Sequence, residues 1–246
     1  MCNEVPSERT GFRDAQIAEY RALSAPAVAG LMLGLLAPLA MIDPLLWIVP
    51  LVGTFVSGSA LWRIARNAPV LSGRRAALTG LVLSLVFATA GPTGWAGYRW
   101  LIRREARQFA LAWFGFLRHD EPHKARQLLT NPVYRPPLGD QLSDLYRDDP
   151  NWAEELKSYV ARPLVRRLLD LGEKAQVRYY DTTAQKQVAG HDMVDQRYTV
   201  TYDEDGKRRA FFVAIKLLRT RLGTKWANWR ITQAEMDTVP DGSREL

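Results

Sequence analysis

Three uncharged apolar runs dominate the early part of the chain: Ala22–Ile42, Pro44–Trp62 and Ala76–Tyr98. Each approaches the roughly 20 residues that cross a ~30 Å hydrocarbon core at 1.5 Å per residue. A surface helix of a soluble globule would carry a polar face, and none of these runs has one. They predict a three-span transmembrane anchor, residues 22–98. Asp43-Pro44 supplies the first turn, because Pro restricts its predecessor and cannot continue a hydrogen-bond ladder. The second connection, Arg63 to Arg75, contains Asn67-Ala68-Pro69 and Ser72-Gly73 and carries four Arg with no acid.

Beyond the third run the pattern changes. From Trp100 to Leu117, apolar Trp100, Ile102, Ala106, Phe109, Ala110, Trp113, Phe114 and Leu117 recur at three- and four-residue steps, with Arg103, Arg104, Arg107 and Gln108 opposite. That spacing predicts an amphipathic helix running on from the third span. Helices are also expected over Glu121–Leu129 and Leu142–Leu171, the latter broken at Pro163. The period then becomes two. Ala175–Tyr179, Gln196–Tyr202 and Trp226–Thr232 alternate, whereas Ala210–Leu218 is nearly continuously apolar, as in a strand covered on both faces. Asp203-Glu204-Asp205-Gly206 and Leu222-Gly223-Thr224 supply hairpin turns. Helices first and an antiparallel meander last predict an α+β soluble domain over 99–236, with helices packed on a curved antiparallel sheet. A polar segment, 1–21, precedes the anchor, and a tail, 237–246, follows the domain.

The whole-chain figures hide this division. With 24% charged residues, a net charge of +7 and a mean hydropathy of -0.19, the 246 residues average to an ordinary basic soluble protein. Yet 22–98 contains only Asp43, Arg63, Arg66, Arg74 and Arg75 as charges, while 99–246 holds 47 of the 59. Residues 1–21 mix four acids with three Arg and do not form the short cationic leader of a signal peptide. Cys2 is the only cysteine, so no intrachain disulfide is available. Short loops rich in Lys and Arg favour the cytoplasm, so the Arg63, Arg66, Arg74 and Arg75 loop is expected there and the soluble domain outside it. Arg99, Arg103, Arg104 and Arg107 pull the other way. These eight arginines are the expected contacts with anionic headgroups. Pro92, between Gly91 and Gly94, marks a place where the third run could kink or end.

Small residues repeat at four-residue spacing: Gly30 with Gly34, Gly53 with Ser57, Gly80 with Ser84. Such pairs let helices approach closely in lipid, within one chain or between chains, and packing within the chain is the favoured reading. The segments Ala29-Gly30-Leu31-Met32-Leu33-Gly34, Ala60-Leu61-Trp62-Arg63-Ile64-Ala65-Arg66 and Ser72-Gly73-Arg74-Arg75-Ala76-Ala77-Leu78-Thr79-Gly80 resemble the small prokaryotic membrane domain catalogued as domain of unknown function 4190. The resemblance covers about residues 24–90; Arg75 and Ser84 depart from it. It implies an anchor joined to varied soluble domains and no activity. Over about residues 100–236 the order of elements weakly resembles the nuclear transport factor 2-like fold, in which helices fill the concave side of a sheet.

Candidate chemistry is sparse. His119 and His123 have the four-residue spacing of a zinc helix, but Pro122 between them makes Asp120-Glu121-Pro122 a helix start instead. His191 is expected to be solvated. No nucleophile elbow, phosphate-binding Gly loop or H-E-x-x-H occurs, so no catalytic, cofactor or metal residues are assigned. Lys207-Arg208-Arg209 is balanced by Asp203-Glu204-Asp205, which argues against a nucleic-acid surface. The expectation is an integral membrane protein presenting a non-enzymatic domain that binds a protein partner, lipid or small ligand. Tyr179, Tyr198, Tyr202, Phe211 and Trp229 are its candidate pocket, with plain core packing as the competing role. The alternative is an enzyme using unrecognised acids such as Asp195 with Tyr180.

Overall fold

The computed structural model describes residues 22, 23, 25–66, 71–139, 141–220 and 229–237, and the chain divides into two units, Met1–Arg99 and Trp100–Leu246. Cys2, the 1–21 segment, the Asn67-Ala68-Pro69 turn, the Leu222-Gly223-Thr224 turn and the tail beyond Asp237 lie outside the described residues.

In the first unit, α1 (Ala25–Leu36) continues as a 3-10 helix, Ala37–Met41. Asp43 then turns the chain: its carboxylate accepts from the Leu45 N–H at 2.8 Å and Pro44 opens a second 3-10 turn, Pro44–Trp47. The long helices α2 (Ile48–Arg66) and α3 (Arg74–Arg118) follow. Short β1 (Ala22–Leu23) pairs in parallel with β2 (Leu71–Ser72). Two of the three expected spans are thus helices long and apolar enough to cross a membrane, Pro44–Arg66 and Arg74–Arg118. The first run is shorter, Ala25–Met41, because β1 takes its first residues and the chain tightens to 3-10 geometry around Pro38. The third runs through Pro92 without ending. Near that missing donor, Thr89 donates to Val86 O at 2.9 Å and Thr93 to Thr89 O at 2.7 Å, hydroxyls held by their own helix.

The packing is inverted relative to a water-soluble protein. Small residues face inward: Ala27, Gly30, Gly34 and Ala37; Gly53, Ser57 and Ala60; Ala77, Gly80 and Ser84. Large apolar residues face outward, Leu45 at 82% and Phe55 at 78% exposed. Only 22% of the most apolar 18-residue stretch of each candidate span is buried inside the protein, whereas a core helix would be mostly covered. A Cβ on Gly80 would lie 2.6 Å from Gly30 O, and one on Gly34 2.9 Å from Gly80 Cα, so the backbones touch directly. Gly30 and Gly53 receive the Ser57 and Ser84 side chains in the same way. The small-residue pairs therefore pack against one another within one chain.

The second unit takes the remainder of α3, the helices α4 (Pro122–Gln127), α5 (Gln141–Asp148), α6 (Pro150–Val160) and α7 (Pro163–Leu171), and an antiparallel sheet in the order β3-β4-β5-β6. Its strands are Gln176–Val188, His191–Glu204, Lys207–Arg219 and Trp229–Asp237. Expected helix 142–171 is three helices, since Asp149-Pro150 breaks it as well as Pro163. Strand β3 is far longer than its legible start, and its register shifts around Tyr180 and Thr183. Two-residue turns with left-handed backbone close the hairpins, Ala189-Gly190 (φ 48 and 79) and Asp205-Gly206 (φ 53 and 72).

One face of the sheet meets the helices. Val194, Tyr198, Val200, Val213, Ile215, Leu217, Trp229 and Ile231 join Ile102, Ala106, Phe109, Trp113, Phe114 and Leu117 of α3 in a closed core. Strand β5 is not apolar on both sides: Phe212 is buried on the outer face beside Tyr180 (ring centroids 5.2 Å apart), but Lys216 is exposed. Polar side chains fasten α3 to the sheet. Gln196 donates to Arg103 O at 3.1 Å and accepts from Tyr198 Oη at 2.6 Å. Glu105 accepts from Trp229 Nε1 at 3.3 Å and pairs with Arg219 at 3.3 Å, and Arg219 also reaches Asp192 at 3.7 Å.

Candidate functional site

The expected headgroup arginines divide by environment. In the first unit Arg63, Arg66, Arg74 and Arg75 are exposed, and Arg66 lies 4.0 Å over the Trp62 ring. Arg99 lies 4.5 Å over Trp95, whose ring meets Trp47 edge-on at 5.9 Å. Trp62 and Trp95 thus each pair with an arginine one helical turn on, an amphipathic combination suited to a headgroup region. In the second unit Arg104 lies 5.4 Å from the Trp100 ring and Arg107 4.8 Å from that of Tyr179, while Arg103 Nε donates to Gln185 Oε1 at 2.9 Å.

The five candidate pocket aromatics do not gather around one opening. Tyr198 and Trp229 are fully buried in the core. Tyr179 is half-buried, bonded to Thr182 Oγ1 at 2.8 Å and edge-on to Tyr198 at 5.9 Å. Tyr202 accepts from Arg167 Nη2 at 2.7 Å and its ring lies 6.1 Å from Phe211. Nor does Tyr180 meet Asp195. It faces Phe212 and Arg197, the latter held by two bonds to Asp181 at 2.8 and 2.5 Å, and Asp195 sits opposite Ala184 and Lys216. His119 and His123 lie on either side of a turn, with Asp120 in left-handed backbone (φ 57) and Pro122 starting α4. Among the described residues no three His, Cys, Asp or Glu side chains group as a metal site.

Of the five aromatics, Tyr202 lines an opening, a polar one of about 240 Å³ shared with Lys174, Gln176, Thr201, Asp203 and Arg208; two further cavities of the second unit lie elsewhere. An apolar cleft of about 460 Å³ is lined by Phe109, Ala112 and Phe116 of α3, Leu128, and Pro132, Arg135, Pro136, Pro137 and Leu138 of the Pro-rich segment. Arg135 is its one charged residue. Its Nη2 donates to Trp229 O at 2.8 Å, Thr130 O at 3.0 Å and Leu128 O at 3.4 Å, and its guanidinium lies 5.5 Å from the Phe109 ring. Its Nε is buried without a partner, and it forms no ion pair among the described residues. Burial lowers its pKa to about 10, which still leaves it cationic at neutral pH. A second cavity of about 350 Å³ is polar and cationic, lined by Arg126, Arg162, Arg230, Leu129, Ile231 and Thr232, with Arg126 paired to Glu155.

Arg135 carries little signal in the sequence. It is a single cation within Pro-Val-Tyr-Arg-Pro-Pro, a stretch with apolar neighbours and no acid. No family model, curated protein or solved structure matches the chain.

Proposed function

We propose that this chain is an integral membrane protein that holds a non-enzymatic α+β binding domain at the surface of a bilayer. The inverted packing of the first unit carries the reading: backbones in contact through Gly30, Gly34 and Gly80, with large apolar residues outside. In water such a surface would be a large aggregation-prone patch; in lipid it is the matched surface. Although shorter, Ala25–Met41 also serves as a span, since 12 α-helical residues at 1.5 Å and five 3-10 residues at 2.0 Å reach about 28 Å. The anchor then has three passes, in keeping with the resemblance of residues 24–90 to domain of unknown function 4190. A concave sheet face of the nuclear transport factor 2-like kind belongs to the same reading.

The arginines from Arg63 to Arg75 favour the cytoplasmic side, and the crossing by α3 puts the domain on the other. Alkaline carbonate extraction of membranes from expressing cells tests insertion: the chain is expected in the pellet, and release to the supernatant overturns the anchor. For sidedness, Cys2→Ser is combined with either Arg66→Cys or Asp205→Cys. An impermeant maleimide on intact spheroplasts is expected to label the second and not the first; the reverse pattern overturns the orientation.

A further inference from the structure

We infer that the Arg135 cleft binds a single-chain anionic amphiphile: one acyl chain against Phe109, Ala112, Phe116 and Leu128, and a carboxylate or phosphate monoester on the guanidinium. The inference rests on reading the second unit as a binding domain held at a bilayer, where such molecules partition. Three features select the chemistry. The walls are apolar apart from Arg135, so a small polar anion would gain little from them. Arg135 has no counter-charge among the described residues and its Nε is buried without a partner. A neutral hydrocarbon would therefore desolvate the cation further and return nothing, whereas an oxyanion supplies a charge-assisted bond. The volume, about 460 Å³, lies toward the small end of ligand cavities, about 300–1,000 Å³, which suits one chain rather than a two-chain phospholipid. Val133 and Tyr134, which lie in sequence between the lining residues Pro132 and Arg135, are 69% and 77% exposed.

The test uses the full chain in nanodiscs of zwitterionic lipid, with empty nanodiscs as the partition background. Dodecanoate, dodecyl phosphate and dodecanol are titrated against a fluorescent undecanoic acid probe. Wild type is expected to bind the probe saturably and to release it to dodecanoate or dodecyl phosphate at least tenfold more readily than to dodecanol. Arg135→Gln is expected to remove that preference, Arg135→Lys to retain part of it, and Ala112→Trp, which fills the cleft without touching charge, to abolish saturable binding. Adding phosphatidylglycerol to the nanodiscs should not displace the probe; if it does, the occupant is a membrane phospholipid and the single-chain assignment is overturned. No saturable binding above empty nanodiscs, equal competition by acid and alcohol, or binding indifferent to Ala112→Trp also overturns it. Should Arg135→Gln fail to fold, the acid-to-alcohol ratio on wild type and the Ala112→Trp result still decide. Carbonate extraction separates the two readings: a chain that stays in the membrane yet binds no amphiphile keeps its anchor and loses this ligand.

Discussion

Trp113 on α3 donates its indole N–H to the Tyr159 hydroxyl of α6 at 2.8 Å, and neither side chain is more than 1% exposed. Burial pushes the Tyr159 phenol well above its ordinary range, so it remains a neutral acceptor at physiological pH. Tyr159→Phe would strand a buried donor, at a cost of about 1–3 kcal/mol. The expected outcome is a lower urea midpoint for the second unit, followed by near-ultraviolet circular dichroism, with the helical signal of the first unit unchanged.

The contact of Gly80 with the Gly30 carbonyl leaves no room for a side chain. Gly80→Leu is expected to separate α1 from α3 and to lower the melting temperature of the micelle-solubilised protein by about 4–12 °C, on the order of 2–3 kcal/mol of overpacking. Gly58 meets nothing within 4 Å, so Gly58→Ala should leave that stability unchanged or slightly raised. Equal effects of the two substitutions would contradict the packing.

Arg219 sits between Glu105 and Asp192, whose side chains are only 12% and 4% exposed. Its removal takes the shared cation from two buried carboxylates, so Arg219→Gln should cost about 3 kcal/mol. Adding Asp192→Asn should restore part of that loss. By contrast, Arg147 and Asp144 are 74% and 59% exposed, and a double-mutant cycle on them should read below about 0.5 kcal/mol.

His123 titrates below its ordinary value of 6.5, chiefly through burial, with Lys124 adding and Glu121 opposing. The unfolded chain therefore takes up this proton first as pH falls. Stability contributed by the neutral ring is full above about pH 6.5 and declines below it. Melting temperatures from pH 7.5 to 5 should show this decline, and His123→Gln should flatten it; an unchanged slope would sink the assignment.

Ala189 holds left-handed backbone (φ 48) in the β3-β4 turn, a conformation Asn and Gly adopt more readily. Ala189→Asn is expected to stabilise the hairpin by about 0.5–1 kcal/mol in chemical denaturation, whereas Ala189→Val should destabilise it.

What could be read from the sequence tracks how local its cause is. The buried positions of α3 were legible because Trp113, Phe114 and Leu117 repeat at helical spacing, and β4 because Tyr198 and Val200 alternate with Arg197 and Thr199. Strand β3 was legible only at its start, since the register shifts around Tyr180 and Thr183 break the two-residue period and Ala189-Gly190 lacks the usual Asn or Asp signal. Hydropathy found the apolar runs but not the 3-10 geometry that shortens the first. The Arg135 cleft was invisible for another reason. Its walls come from α3, from Leu128 and from the Pro-rich segment, and only tertiary packing gathers them.

The Glu105 to Trp229 bond joins residues 124 positions apart, and it sets a timetable for synthesis. At about 5–20 residues per second, the ribosome needs about 6–25 s to reach the last strand after the Glu105 codon. Through that interval the hydrophobic flank of α3 waits for its final cover. A nascent chain interrupted before Trp229 would carry every hairpin up to β5 and still be unfinished, α3 lacking the strand made last.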